Sequence, residues 1–299
     1  MNSAMRIVII YNPQAGQKKT RLLDQVKNAL ETAGHAVDII NTTAPGHATS
    51  LARHYKEGAY DVICAAGGDG TIREVLAGLY PSPIPFGIIP LGTANVLAKE
   101  ILPNEKPATI ARVILQNHYK PSHLGIVQRK NRADDAYFGL MASVGPDAES
   151  VHHVNLRLKN HIGKAAYALS FLKQVLCRPP VTYRLTIEGV TYKVGAAILS
   201  KGKYYGGRFL CAPQADLSHP EFQVVMMPEI GRRAALVYAW KMLRNQIPST
   251  PSVTTVTATA VYIESDRPAC LQIDGDPGGP LPASFCLSEG SVTLLHGMS

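Results

Sequence analysis

The sequence lacks the features that mark secreted and membrane-spanning proteins. No apolar run approaches the roughly 20 residues that a membrane-spanning helix needs, and the N-terminus has neither the apolar core nor the cleavage site of a signal peptide. The five cysteines are odd in number and show no C-x-x-C spacing, which favours free thiols in a reducing compartment over a disulfide framework. We therefore expect a cytoplasmic protein.

Two common nucleotide-binding motifs are also absent. No G-x-G-x-x-G follows the first apolar segment and no G-x-x-x-x-G-K-[ST] occurs, which excludes a dinucleotide fingerprint and a Walker-type phosphate loop. Charged residues are sparse at 17%, and hydrophobic residues reach 46%, a composition typical of a globular protein. The length of 299 residues allows about two domains.

Acidic residues are scarce in one part of the chain. Residues 151–250 contain 14 Lys and Arg against 4 Asp and Glu, a net charge of +10, and the other 199 residues carry −2, which together give the +8 of the whole chain. This basic region fits an anionic partner surface, either a membrane or a nucleic acid, and an ordinary solvated basic face is the alternative. Residues 231–247, with the only tryptophan, Trp240, and four basic residues, are predicted to form a helix that either lies in a lipid interface or packs on its own sheet.

The most informative segment that is present joins an apolar run to a glycine-rich turn. Residues 61–66 have the character of a buried strand, and Gly67-Gly68-Asp69-Gly70-Thr71 follows at once, before a helix-like segment that ends at Leu79. Glycines let backbone N–H groups close on an anion, and the start of a helix adds free N–H groups. An aspartate beside bound phosphates can reach their Mg²⁺. The segment therefore predicts a nucleotide-phosphate site.

Two further apolar segments end in the same way. Arg6–Tyr11 precedes Asn12-Pro13-Gln14-Ala15-Gly16, and residues 86–89 precede Pro90-Leu91-Gly92-Thr93-Ala94-Asn95. Three strands that each end in a glycine-containing turn before a helix fit ligand binding at the carboxyl ends of a parallel sheet. Lys18 and Lys19, behind the first turn, either face phosphate or are solvated.

Together these segments resemble the catalytic domain of the diacylglycerol and sphingosine kinases, and the bacterial single-chain lipid kinases in particular. Three motifs carry the resemblance: Asn12-Pro13-x-x-Gly16, Gly67-Gly68-Asp69-Gly70-Thr71-x-x-Glu74 and Pro90-Leu91-Gly92-Thr93-x-Asn95. The Gly67-Gly68-Asp69-Gly70-Thr71 part of the second motif is shared with the NAD kinases, whereas the third motif points to the lipid kinases. The similarity weakens after about residue 125 and returns at residues 142–148, 206–207 and 272–276.

The hydrophobic pattern and the resemblance predict an α/β N-terminal domain with a parallel sheet, followed by a β-rich, sandwich-like C-terminal domain. We expect a nucleotide-binding kinase domain at residues 1–122 and a lipid-substrate domain at 123–289, and the resemblance implies that the last strand, about 290–299, returns to the first domain. The predicted strands are 6–11, 37–41, 62–66, 86–89, 181–187, 193–199, 222–227, 254–264 and 291–296. The predicted helices are 20–33, 46–55, 71–79, 95–101, 107–116, 163–176 and 231–247.

The resemblance implies a nucleotide site at the three turns. Thr42 would lie near the nucleotide, or else cap a turn before Pro45, and Thr93 would close the site. The implied cofactors are ATP and Mg²⁺, with Asp69 as the catalytic residue that holds the metal. The expected nucleotide-binding residues are Asn12, Thr42, Gly67, Gly68, Asp69, Gly70, Thr71, Glu74, Gly92, Thr93 and Asn95.

The family also supplies a proton acceptor, an acid in a C-terminal Asp-Gly-Glu. Here the segment is Asp274-Gly275-Asp276, so Asp276 would be the catalytic base, and an Asp-Gly hairpin turn is the alternative. Two acids of the family's metal network are replaced, one by His123 and one by His219-Pro220, which leaves Asp216 as a metal candidate. These losses argue against the family's structural metal site, because Mg²⁺ prefers oxygen ligands.

The sequence therefore predicts an ATP-dependent lipid kinase that transfers the γ-phosphate of Mg·ATP to a lipid hydroxyl, with a diacylglycerol-like acceptor. The alternatives are an NAD kinase and a non-catalytic nucleotide- or lipid-binding protein with a degraded metal site. The expected partners are ATP, a lipid alcohol and, through residues 151–250, an anionic membrane surface at its inner face. We expect no nucleic-acid partner, and a homodimer is left open.

Overall fold

The computed structural model describes residues 4–15, 20–58, 60–116, 118–129, 135–153 and 164–297. Gly16, Lys18 and Lys19 lie outside the described residues. The chain divides into two compact units, one made of Met1–His123 and Glu289–Ser299 and the other of Leu124–Ser288. Among the described helices, none has both the length and the apolar character needed to cross a membrane.

The first unit contains a six-stranded sheet. Its strands are β1 (Arg6–Tyr11), β2 (Ala36–Asn41), β3 (Val62–Gly67), β4 (Ser82–Pro90), β5 (Tyr119–Ser122) and β20 (Val292–Leu295). They lie in the order β2-β1-β3-β4-β20-β5, and all neighbours are parallel except β20 and β5. The predicted parallel sheet is confirmed, and the last strand of the chain completes it.

Helices connect the strands of this sheet. In the described part of the first unit they are α1 (Thr20–Thr32), α2 (His47–Tyr55), α3 (Asp69–Leu79), α4 (Val96–Ile101) and α5 (Pro107–Gln116). Leu23, Val26 and Leu30 recur at helical spacing on α1 and are buried. Every residue of β3 is buried, as expected for a parallel strand that is covered on both faces.

The second unit contains two six-stranded antiparallel sheets. One consists, in spatial order, of β10 (Val190–Val194), β9 (Tyr183–Ile187), β16 (Ala260–Ser265), β19 (Ala283–Leu287), β6 (Gly125–Gln128) and β7 (Ala136–Phe138). The other consists of β15 (Thr254–Ala258), β14 (Phe222–Met227), β11 (Ala196–Ser200), β8 (Met141–Val144), β17 (Cys270–Ile273) and β18 (Asp276–Pro280). The remaining described elements are the hairpin β12 (Tyr204–Tyr205) and β13 (Phe209–Leu210), and the helices α6 (Pro146–His152), α7 (Lys164–Cys177) and α8 (Arg232–Leu243).

Side chains from both sheets of the second unit share one buried core. Phe138 of β7 stacks on Phe222 of β14, with ring centroids 5.8 Å apart. On β9, burial alternates along the strand, and Tyr183, Leu185 and Ile187 belong to the core. Two antiparallel sheets that bury their inner faces against each other form a sandwich, so the predicted sandwich-like domain is confirmed.

Two predicted strands are wrong, because the structure divides each of them in two. Residues 193–199 belong to β10 and β11, which lie in different sheets, and the chain crosses between the sheets at Gly195. A Cβ at Gly195 would lie 2.4 Å from the carbonyl oxygen of Glu229, so glycine permits this crossing. Residues 254–264 likewise form β15 and β16 in different sheets.

Some predicted element ends are also wrong by a few residues. β4 begins at Ser82 because residues of its first half pair with β20, and α3 begins at Asp69, two residues before the predicted start. The helix predicted to reach residue 247 ends at Leu243. The sequence did not predict the short elements β5, β6, β7, β8, β12, β13, β17, β18, β19 and α6.

Candidate active site

The turn after β3 is shaped by close backbone contacts. Gly68 precedes α3 with φ −90° and ψ −176°, and its carbonyl oxygen accepts the N–H of Ile72 at 3.0 Å, which closes the first helical turn. A Cβ at Gly67 would lie 2.5 Å from the Cβ of Thr71. The turn therefore needs glycine at 67, and it leads directly into a helix whose first N–H groups have no intrahelical partner.

The turn after β4 packs against the turn after β3. The N–H groups of Leu91 and Gly92 donate to the carbonyl oxygen of Gly67, at 2.9 and 3.2 Å. A Cβ on Gly92 would lie 2.6 Å from the Cα of Gly68. The predicted meeting of these two motifs at one edge of the sheet is thus a direct backbone contact.

Asp69 ties the first turn of α3 to the start of α4. Its two carboxylate oxygens accept the N–H groups of Asn95, at 2.9 Å, and Val96, at 2.7 Å. Burial raises the pKa of Asp69, while these backbone hydrogen bonds and the charge of Lys99 act to lower it. Asn95 has a left-handed φ of 49° and donates its side-chain N–H to the carbonyl oxygen of Gly92 at 3.0 Å.

Asn12 joins the turn after β1 to the same place. Its side-chain Nδ2 donates to Oγ1 of Thr71 at 3.0 Å, and its backbone N–H donates to the carbonyl oxygen of Ala66 at 3.0 Å. Its Oδ1 accepts the N–H of Gln14 at 2.9 Å. The three predicted turns therefore converge at the carboxyl ends of β1, β3 and β4.

The other predicted nucleotide-binding residues lie at or near these turns. Glu74 accepts the N–H of Gly46 at 2.9 Å through Oε1, so its side chain holds the start of α2. Thr42 follows β2, is half-buried, and donates its N–H to the carbonyl oxygen of Tyr11 at 2.7 Å. Thr93 is exposed. Contact of these three residues with a nucleotide stays a prediction.

In the second unit, Asp274-Gly275 forms the two-residue turn between β17 and β18. Both residues have left-handed φ angles, 48° and 85°, as an Asp-Gly hairpin turn requires. The Asp274 carboxylate accepts the N–H groups of Gly139, Leu140 and Met141 at 2.7, 3.0 and 2.9 Å. Asp276 is the half-buried first residue of β18, so the hairpin is present and Asp276 begins its second strand.

A chain of polar side chains leads away from this hairpin. Gln272 accepts the N–H of Gly275 at 2.7 Å and donates its Nε2 to Oγ of Ser143 at 2.9 Å. The Ser143 hydroxyl donates to Asp147, and the Tyr205 hydroxyl donates to the same carboxylate oxygen at 2.5 Å. Burial and the Asp147 charge raise the pKa of Tyr205, so this hydroxyl stays a donor.

A lysine holds the loop at residues 215–221, which contains the predicted metal candidate Asp216. Lys201 is fully buried, and its ammonium donates to the carbonyl oxygens of His219 and, at 3.2 Å, Glu221. Burial lowers the pKa of Lys201 to about 8, although the charges of Glu221 and Asp216 raise it. Asp216 accepts the N–H and hydroxyl of Ser218 at 2.9 and 2.6 Å. In the described ranges, no group of three or more His, Cys, Asp or Glu side chains is arranged to hold a metal.

Comparison with known proteins assigns both units. Residues 6–127 match the family described as the diacylglycerol kinase catalytic domain, and residues 140–296 match the YegS C-terminal NAD kinase beta sandwich-like domain. This chain belongs to the diacylglycerol kinase-like family of lipid kinases. The family and enzyme class predicted from the glycine motifs are confirmed.

Individual relatives align with this lipid kinase over nearly its whole length. The diacylglycerol kinase of Bacillus subtilis (strain 168) is 28% identical over 286 residues, which cover 94% of this chain and 92% of the relative. The diacylglycerol kinase of Staphylococcus aureus (strain MRSA252) is 29% identical and covers 97% of this chain and 91% of the relative. A crystal structure of a diacylglycerol kinase from Bacillus anthracis str. Sterne has a TM-score of 0.76 at 22% identity, over 99% of both chains, and shows that the fold is shared.

Sequence reasoning missed two parts of the lipid kinase's second unit. Ser143 and Asp147 lie in a segment that carries the family resemblance, but Tyr205 lies in no motif, and the hydrogen bonds that join them are visible only in the fold. The buried Lys201 was also missed, although a lysine directly after the apolar strand β11 is a signal that could have been noticed.

Proposed function

We propose that this lipid kinase transfers the γ-phosphate of ATP to the hydroxyl of a diacylglycerol-like lipid, with Mg²⁺ as the metal. The observation that carries this proposal is the contact between the Gly68 and Gly92 turns, with the Asp69 carboxylate anchored beside it. The names of the two relatives support the acceptor class. Transfer of a phosphoryl group needs positioning, charge neutralisation and a proton acceptor, and the chain has a candidate for each.

Positioning would come from the backbone of the turn after β3. The N–H groups at the start of α3, including those of Gly70 and Thr71, lie at the N-terminal end of an 11-residue helix. The helix dipole makes this end partially positive, and a partial positive charge favours phosphate binding. Asn12 fixes the Thr71 side chain by a hydrogen bond, and Thr93 would close the site from the turn after β4. The first unit would therefore bind the nucleotide.

Asp69 fits the role of the metal-holding residue. Its two oxygens are held in place by the N–H groups of Asn95 and Val96, and carboxylate oxygens are the ligands that Mg²⁺ prefers. When bound, the ion supplies positive charge that neutralises the transferring phosphoryl group. Asp216 fits this role less, because it lies in the second unit and outside the three turns that are predicted to hold the nucleotide.

Asp276 would accept the proton of the lipid hydroxyl. The turn before it is held rigidly, because Asp274 accepts three backbone N–H groups and Gly275 donates to Gln272. A carboxylate held in a fixed position can act as a general base. The second unit would therefore bind the lipid, and its basic residues would contact an anionic membrane surface. The cytoplasmic location and the homodimer stay predictions.

The experiment that tests this proposal measures transfer of labelled γ-phosphate from ATP in the presence of Mg²⁺. The acceptors are diacylglycerol, monoacylglycerol, sphingosine and ceramide in anionic mixed micelles, with NAD and a lipid-free sample alongside. We expect label on diacylglycerol. Label on another lipid would correct the acceptor, and label on NAD would replace the proposal with an NAD kinase. No label from a protein that binds ATP would indicate a non-catalytic binding protein.

A further inference from the structure

Large apolar side chains are exposed on two neighbouring helices of the second unit. In the part of the chain that the structure describes, eleven large apolar residues are exposed, and eight of them lie on α7, on α8 or just before α8. Single exposed apolar residues are ordinary on protein surfaces, whereas a contiguous apolar patch marks an interaction surface. The clustering therefore needs an explanation.

On α7 the exposed leucines form one stripe. Leu169, Leu172 and Leu176 are spaced three and four residues apart, which places them on one face of a helix, and they are 54%, 43% and 51% exposed. Val175 is buried, and the Ser170 hydroxyl donates to the carbonyl oxygen of Ser150 in α6 at 2.9 Å. The helix is thus anchored by its other side, and the leucine stripe faces outward.

On α8 the arrangement is the same. Leu236, Trp240 and Leu243 are spaced four and three residues apart, and Trp240 and Leu243 are 54% and 60% exposed. Tyr238 is buried, and its hydroxyl lies 3.1 Å from Oγ of Ser252. α7 and α8 contact each other, so the two stripes belong to neighbouring helices, and together they are here called the α7–α8 face.

The charge on these helices selects the kind of partner. Neither α7 nor α8 contains an Asp or Glu, whereas Lys173, Arg232, Arg233 and Arg244 are exposed. The Arg244 guanidinium lies over the Trp240 ring, 5.3 Å from its centroid. A second copy of the chain would bring like charges together, while an anionic bilayer offers both an apolar interior and negative headgroups.

We propose that the α7–α8 face inserts into the interface of an anionic lipid bilayer, with both helices lying in the membrane plane. Helices of this composition bury their apolar side chains about 5–10 Å into the headgroup region, while their basic side chains stay at the headgroups. This proposal identifies the membrane-contacting surface of the lipid kinase. It rests on the proposed function only in that the acceptor is a membrane lipid.

Trp240 is a built-in probe of this face, because it is the only tryptophan in the chain. The whole protein is mixed with vesicles of phosphatidylcholine and phosphatidylglycerol that contain neither diacylglycerol nor ATP. We expect Trp240 emission to shift to the blue and to be quenched by brominated acyl chains, and we expect flotation with the vesicles. Vesicles of phosphatidylcholine alone should bind at least about tenfold more weakly, and added salt should weaken binding to the anionic vesicles.

Variants separate the face from the rest of the surface. Leu172→Glu combined with Leu236→Glu should reduce vesicle binding at least about tenfold, because each change places a charge in the apolar stripe. Val190→Glu is the matched control, since Val190 is 53% exposed on β10, and it should bind like the wild type. Arg233→Gln and Arg244→Gln should each weaken binding about fivefold. Circular dichroism confirms that each variant is folded.

Three results would overturn the proposal. They are an unchanged Trp240 spectrum with anionic vesicles, equal binding to neutral vesicles, and a vesicle-free dimer that the two Leu→Glu changes dissociate while vesicle binding is absent. The test is independent of turnover. Binding by a protein that phosphorylates no lipid would leave this inference standing and count against the proposed function, whereas an active protein that ignores the vesicles would do the reverse.

Discussion

In the first unit, the carbonyl oxygen of Gly67 accepts N–H groups from the neighbouring turn, and two glycines touch where a side chain would not fit. In the second unit, the corresponding contacts join side chains, from Gln272 through Ser143 to Asp147 and Tyr205. The first candidate site is therefore built mainly from backbone, and the second mainly from side chains. This difference determines which substitutions each site tolerates. It also determines how well each site can be predicted from the sequence.

A site made of backbone is sensitive to added atoms, because a single Cβ can separate two touching turns. A site made of side chains is sensitive to lost partners, because a buried polar group without its partner costs about 1–3 kcal/mol. The following predictions test this contrast, from the largest expected effect to the smallest.

The strongest test uses the two acids of the hairpin. Asp276→Asn should lower kcat by about 10²–10⁴-fold, because a general base is lost, with little change in stability. Asp274→Asn is the comparison: three backbone N–H groups lose their carboxylate, which should lower the free energy of unfolding by about 2–3 kcal/mol, more than Asp276→Asn lowers it. Steady-state kinetics and urea denaturation measure the two effects.

Asp276→Glu sharpens the same test. The longer side chain restores the acid that the family places here, so activity should persist at or above the wild-type level. Full activity in Asp276→Asn would remove Asp276 from the mechanism.

Asp69→Asn should lower kcat by about 10²–10³-fold, because the negative charge that holds the metal is lost. Burial raises the pKa of Asp69 above its unfolded value, so the folded state binds the proton more tightly and ionised Asp69 lowers stability at neutral pH. The variant removes that charge but also leaves the N–H of Asn95 or Val96 without its acceptor, which costs about 1–3 kcal/mol, so it should unfold at an unchanged or lower urea concentration.

The control for Asp69 is Asp61→Asn. Asp61 also accepts a backbone N–H, from Arg6 at 2.7 Å, but it lies before β3, whereas Asp69 follows β3. It should keep wild-type activity. If Asp69→Asn lost activity only by unfolding, the carboxylate would be structural and the metal assignment would fail.

Lys201→Met tests the buried charge in the second unit. Burial lowers the pKa of Lys201 to about 8, below its unfolded value of about 10.4, so the unfolded state binds more protons between these two pH values. The free energy of unfolding contributed by this group should therefore rise with pH from about 8 to about 10.4, by at most about 3 kcal/mol.

Urea denaturation at pH 7.5 and pH 10 measures that rise, and the methionine variant should lose it. Lys203→Met is the matched control, because Lys203 is exposed on the same segment, and it should keep the wild-type dependence on pH. An identical dependence in wild type and Lys201→Met would show that Lys201 is solvated.

Gly68→Ala tests the backbone site with the smallest change. A Cβ at Gly68 has 3.5 Å to the Cα of Gly92, an ordinary contact, and φ is −90°, so the fold should tolerate it. If the Gly68 backbone faces phosphate, the methyl group should weaken ATP binding about tenfold. Gly58→Ala, with 3.4 Å to the nearest atom, is the control, and ATP titration is the measurement. Unchanged ATP affinity in Gly68→Ala would move the phosphates away from this turn.

The sequence predicted the first unit well for a physical reason. β3 is apolar throughout and its turn needs glycine, so the strand, the turn and the start of α3 are all local properties of one short segment. Its helices show the regular spacing of buried residues seen on α1. The family and its catalytic class follow from the same motifs.

The second unit was harder to predict because its pairings are not local. Gln272 and Ser143 are 129 residues apart, and Asp274 and Gly139 are 135 apart. At Gly195 the chain changes sheets within an apolar run. The alternation of apolar and polar side chains predicts a strand but does not indicate which sheet that strand joins. The outward apolar stripe on α7 also looks, in sequence, like a core-facing one.

The sequence by itself determined the parallel strands and the three glycine turns, because both depend on the conformational limits of neighbouring residues. The motifs at those turns also predicted the lipid kinase family. Only the tertiary structure decided that Asp69 is anchored by the amides of Asn95 and Val96 and that Lys201 is buried against backbone carbonyls. It also decided that leucines of α7 face outward. Those features depend on which distant segment packs against which, and packing is a property of the folded chain as a whole.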